Sequence, residues 1–178
     1  MGFINLGFFL IVTAVGAVQS DSESARQRMA QAQRYLAEGE IDFAFMEFRT
    51  LLEESPESPA ARDATFAIGE YHLRQHNNRE AKEAFQKFIE VSEEGIPQLI
   101  AYVYLLQCAH SLEDTSLVQE LEHHLKEQLS LKKLFLAFEE TRVQEWISPL
   151  GNKFELREFV DRMEITQNGA LFYAISLP

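Results

Sequence analysis

The sequence predicts an all-α protein of stacked helical hairpins. Three observations support this: few chain breakers, a repeat at a fixed offset, and apolar residues spaced at helical intervals. Eight Gly and five Pro are all that interrupt 178 residues. Three of the glycines, Gly2, Gly7 and Gly16, fall in the first sixteen positions. An all-β sandwich or barrel needs turn residues far more often. Hydrophobic residues make up 46% of the chain, enough for a packed core.

The first element is apolar. Phe3 to Val18 carries no charge and only two polar side chains, Asn5 and Thr13. As a helix it would span roughly 24 Å, short of the ~30 Å of a bilayer core. Small residues follow at Ala14, Gly16 and Ala17, then the polar run Gln19–Ser22. Residues 1–20 therefore read as a signal peptide cleaved after Ala17 or Ser20, or as a retained membrane anchor. A signal peptide usually has a basic residue before its apolar stretch, and this segment has none.

Residues 21–130 carry the repeat. Ala44-Phe45-Met46-Glu47-Phe48-Arg49-Thr50-Leu51 aligns with Ala81-Lys82-Glu83-Ala84-Phe85-Gln86-Lys87-Phe88 at an offset of about 37 residues. The same offset sets Ala32 on Gly69 and the Gly39-Glu40 turn on the His76-Asn77-Asn78 turn. A weaker third copy brings Gly69 to Leu105, Ala81 to Leu117 and Phe85 to Leu121. Pro56 and Pro59 mark the first boundary, Gly95 and Pro97 the second. Small residues inside a helix let its partner approach closely. The Phe four positions after each Ala lies on the same face and fills the seam between hairpins. One hairpin cannot bury that face alone, whereas three stacked hairpins can.

Residues 131–178 read as a capping helix and a hairpin. Leu131, Leu134, Phe135, Phe138 and Trp146 are spaced to share one helical face over Leu131–Ile147. Ser148–Asn152 breaks this helix, and a short helix over Phe154–Arg162 follows. Met163–Thr166 and Leu171–Leu177 then flank Asn168-Gly169, the strongest short hairpin signal. A lone hairpin is not stable in water. It must lean on the helices, or one of its edges must recruit a strand from a partner.

The residues with chemical potential do not form a catalytic set. His72 and His76 stand one helical turn apart, a spacing that can hold zinc, but no third ligand is evident in the sequence. His123 and His124 are adjacent and diverge by about 100° on a helix. Cys108 is the only cysteine, so no intramolecular disulfide is available. No phosphate loop, nucleophile elbow or paired-cysteine motif is present. The sequence therefore predicts no enzyme activity, no catalytic residues, no metal and no cofactor. A formal charge of −12 argues against a nucleic-acid partner.

The small residue in each first helix, Tyr35 or Tyr71 near its end, then Ala44, Phe48, Leu51 and Pro56, with Ala81, Phe85 and Phe88, resemble the tetratricopeptide repeat (TPR). The stretch Glu54–Ala64 followed by Phe66–Tyr71 is similar to TPR proteins of the bacterial envelope, of the outer-membrane assembly lipoprotein and periplasmic cell-division coordinator types. The resemblance covers about residues 25–130. It implies a TPR-like α-solenoid of about three hairpins and a non-enzymatic scaffold that binds a protein or peptide. It also implies a binding groove lined by Met29, Gln33, Phe66, Glu70 and Tyr102, with Asp63 and Arg74 at the rim. The expected setting is the cell envelope, periplasmic or exported, with a membrane tether through residues 3–18 as the alternative.

Overall fold

The computed structural model describes the backbone of residues 7–136, 142–159 and 161–176, and the side chains of 23–128, 142–159 and 161–176. Six helices come first: α1 (Gly7–Glu38), α2 (Ile41–Glu54), α3 (Pro59–Arg74), α4 (Asn78–Val91), α5 (Ile96–Ser111) and α6 (Thr115–Leu136). Four strands follow: β1 (Arg142–Ile147), β2 (Lys153–Glu158), β3 (Arg162–Gln167) and β4 (Ala170–Ser176). The chain divides inside α3, after Ala64, into two compact units. Among the described residues no helix is long and apolar enough to cross a membrane.

The first unit is built on the α1–α2 hairpin. Gly39 takes φ +81, a left-handed turn position that suits glycine. Tyr35 meets Phe43 across the turn at 5.4 Å. Farther from it, Arg28 reaches Glu47 at 3.1 Å and Glu54 at 3.0 Å, which fixes the helices as antiparallel. Ala32, Ala44, Phe48 and Leu51, the repeat positions of this hairpin, are all buried.

The second unit repeats the device. A Cβ on Gly69 of α3 would lie 2.8 Å from the Phe85 ring of α4, so only glycine permits this approach. Phe66 packs edge-on to Phe85 and Phe88. Phe85 stacks on Tyr104 of α5 at 4.9 Å. Lys82 of α4 pairs with Asp114 at 2.7 Å, and Asp114 also accepts the Leu117 N–H, capping α6. At the positions of the weak third copy Leu105 and Leu121 are buried and Leu117 is half-buried.

The C-terminal region departs from the sequence expectation. It holds a four-stranded antiparallel sheet in the order β1-β2-β3-β4, so the protein is mostly helical with a small sheet and is not all-α. The expected helix over Leu131–Ile147 is overturned: α6 runs on from Thr115 and ends at Leu136, and residues 142–147 form a strand. The side chains of Leu131, Leu134, Phe135 and Phe138 lie outside the described residues. The expected helix at Phe154–Arg162 is likewise replaced by β2 and the start of β3. The reason is burial at period two. Phe154, Leu156, Met163 and Ile165 all face the helices and are buried. Two further strands also give the C-terminal hairpin the sheet that it needs to be stable.

That hairpin is present as expected. Asn168 (φ +51) and Gly169 (φ +83) form a two-residue turn of type I′, the form that suits the twist of the strands. Between Ile165 and Thr166 the register skips Phe172, a bulge in β4. It lets the consecutive residues Phe172 and Tyr173 both pack on the core. Aromatic rings join sheet to helices. Trp146 meets Phe66 at 4.9 Å, and Phe172 meets Tyr104 at 5.1 Å.

Candidate functional site

In the second unit residues of α3, α5 and the sheet line an open cleft of about 630 Å³. Glu70, Leu73 and Arg74 enter it from one face of α3, being three and four positions apart. Tyr104, Gln107 and Ser111 enter from α5 at the same helical spacing, with His110 beside them. His76 comes from the α3–α4 turn, Asn78 from the start of α4, Asn152 from the β1–β2 turn and Gln167 from the end of β3.

Glu70 forms the floor and is 2% exposed. Its Oε1 accepts the Tyr104 hydroxyl at 3.0 Å and the Asn152 amide at 2.9 Å. Gln167 donates to the Tyr104 oxygen at 2.8 Å. Asn168 Nδ2 donates to the side-chain oxygen Oδ1 of Asn152 at 3.0 Å, and Asn168 Oδ1 accepts the Lys153 N–H. One carboxylate therefore ties α3 to α5, to the β1–β2 turn and, through Asn152 and Tyr104, to the hairpin turn. Its Oε2 is buried without a well-formed hydrogen bond. Burial raises the Glu70 pKa above the usual carboxylate range. Hydrogen bonding from Ser148, Asn152, Tyr104 and the Leu150 N–H opposes this rise. Burial, followed by the Glu70 charge, likewise raises the Tyr104 phenol.

The cleft therefore has a fixed acidic and amide floor beneath a rim of Arg74, His76 and His110, all exposed. Such a lining can accept hydrogen-bonding groups of an extended chain. Among the described residues no group of three metal-ligating side chains occurs. Cys108 is buried in α5, and burial pushes its thiol up to about 11, so it stays protonated at neutral pH.

Of the residues expected in the groove, the structure brings Glu70 and Arg74 together in this cleft. Phe66 is fully buried in the aromatic core, where no ligand reaches it. Tyr102 lines a separate cavity of about 240 Å³ with Glu94, Leu99, His124 and Met163, its ring 4.3 Å from that of His124. Met29 and Gln33 lie on α1, half-buried and exposed respectively. Asp63 is exposed on α3, 3.7 Å from Arg62. Glu70 belongs to the floor of the cleft and not to an open surface.

Sequence reasoning missed Tyr104, Gln107, Asn152 and Gln167. Tyr104 and Gln107 could have been found, because they sit three apart on a helix of the third repeat copy. Asn152 lies 82 residues from Glu70 and comes from a turn next to a strand that the sequence pattern conceals. Comparison with protein-family models, with curated proteins and with solved structures finds no match to this chain.

Proposed function

We propose that this protein is a non-enzymatic binding scaffold of the TPR class, working in the bacterial cell envelope, and that its cleft takes a peptide or protein segment. The observation that carries the reading is the cleft itself. Glu70 and Arg74, both expected in the groove, line it, and a hydrogen-bonded network holds its floor rigid. A pre-set floor lowers the ordering cost of binding. The close contact between Gly69 and Phe85 supports the repeat class, since it uses the small-residue site as that resemblance requires. Net acidity speeds the encounter with a partner that carries basic residues, while Arg74 at the rim of the cleft calls for a hydrogen-bond acceptor in the bound segment.

Photo-crosslinking tests this reading. A photoreactive residue at Arg74 or Gln107 of the full chain, expressed in bacteria, should capture one protein segment. The same probe at Arg49 on α2 should not. Absence of protein adducts at both cleft positions would remove the reading.

One observation favours the tethered alternative. Helix α1 runs unbroken from Gly7 to Glu38, through Ala17 and Ser20, where cleavage was expected. In that reading the same helix that packs on α2 continues into an anchor, and the protein is a structural subunit of a larger complex. Intact mass of the protein extracted from cells separates the two. Loss of the first 17 or 20 residues supports export, and their retention supports the tether.

A further inference from the structure

The outer face and open edge of β1 are not absorbed by the cleft. We infer that this edge is a second docking surface, which accepts an extended segment of another protein as a fifth strand with the pattern apolar–x–basic–x–apolar. Among the described residues, strand β1 has a neighbour on one side only, β2. The Ser148 N–H bonds to the Asn152 carbonyl at 2.9 Å, so the even-numbered residues of β1 hydrogen-bond to β2. The Asn168 N–H bonds to the Lys153 carbonyl at 2.7 Å, which commits the odd-numbered residues of β2 to β3 and agrees with this phase. The N–H and C=O groups of Val143, Glu145 and Ile147 therefore point to the open side.

Edge strands are usually blunted by Pro, a bulge or an inward charge. Strand β1 has neither Pro nor a bulge: its register with β2 is continuous over six residues, and of its inward positions only Arg142, exposed at the start of the strand, is charged, while Gln144 and Trp146 are not. The opposite edge, β4, does carry a bulge. The side chains of the same three odd residues lie on the solvent face. Val143 is 54% exposed and Ile147 64%, and they flank Glu145. An added strand would place its own residues directly opposite these three.

Chemistry then selects the occupant. Apolar residues opposite Val143 and Ile147 bury their exposed surface. Glu145 faces Glu155 across β2; Lys153 pairs with Glu145 at 2.9 Å and Arg157 with Glu155, so the selection comes from the position directly opposite Glu145, where a basic residue is favoured over a carboxylate. The same argument disfavours a second copy of this chain in the matching register. The antiparallel register that sets Val143 against Ile147 also sets Glu145 against its own copy.

Trp146 is the only tryptophan in the chain and lies on β1, so its fluorescence reports on this strand. The probe is the peptide acetyl-Thr-Val-Thr-Lys-Thr-Val-Thr-amide, titrated into the full chain. It should shift Trp146 emission saturably. A glutamate-centred peptide should bind about fivefold more weakly, and Glu145→Lys should reverse that order. A lysine peptide N-methylated along its bonding edge should not bind. The inference is overturned if Trp146 does not respond, if the N-methylated peptide binds equally, or if Glu145→Lys leaves the preference unchanged. Displacement of the peptide by self-association of the protein would also overturn it, since a second copy would then be the occupant.

Discussion

At the scale of single residues, Glu70 and Gly69 adjoin in sequence and do opposite things. Glu70 is a carboxyl group where water is excluded, so its folded pKa lies above its unfolded one. Its contribution to stability is then complete below the unfolded pKa of about 4.3 and is lost as pH rises through the raised folded value. Glu70→Gln keeps an acceptor for Tyr104 and Asn152 and removes the charge. The variant should be more stable than the parent at pH 8, with the difference closing by pH 4, as read by urea denaturation. Gly69 supplies absence: any Cβ there meets the Phe85 ring. Overpacking costs about 1–3 kcal/mol, and the better helix propensity of alanine returns about 1 kcal/mol. Gly69→Ala should therefore lose about 1 kcal/mol in the same measurement. Gly69 was legible from the repeat alignment, and Glu70 only as a groove residue implied by the resemblance to TPR proteins. Their chemistry was not, because it depends on Asn152 and Phe85, which only the fold brings near.

At the scale of elements, the helices were legible because their packing rule is local. Small residues at Ala32 and Gly69, Ala44 and Ala81, with a Phe four positions on, recur at an offset that the eye can follow. Strand β1 was not legible because it is apolar on both faces. Trp146 packs inward while Val143 and Ile147 face solvent, so no alternation shows. Strand β2 hides its period differently, since Glu158 occupies a buried position after Phe154 and Leu156. The Asn168-Gly169 turn was legible because two residues with positive φ require that chemistry. The sheet is part of the core and not an appendage. Deleting residues 160–178 removes the buried Met163, Ile165 and Ile175. At about 1.5–3 kcal/mol for each buried side chain, the loss is on the order of 5–9 kcal/mol, comparable with the whole stability of a domain. The truncated protein should lose its near-ultraviolet circular dichroism and bind a hydrophobic dye. A native spectrum would show that the helices stand without the sheet.

At the scale of the whole molecule, the proposed function rests on a surface and not on a reaction. Helix faces and strand ends converge on one cleft, and the open edge of β1 offers a separate surface on the same unit. The scarcity of Gly and Pro pointed to helices but could not reveal that helices and sheet together build the site. The measurement that tests the central claim most directly is calorimetric titration of the segment captured at the cleft into the full chain and two variants. Arg74→Glu should weaken binding by at least about tenfold through loss of a charged hydrogen bond, while Glu145→Lys at the β1 edge should leave it within about twofold. Equal affinity for the parent and Arg74→Glu would contradict the account, because the segment would then bind outside the cleft.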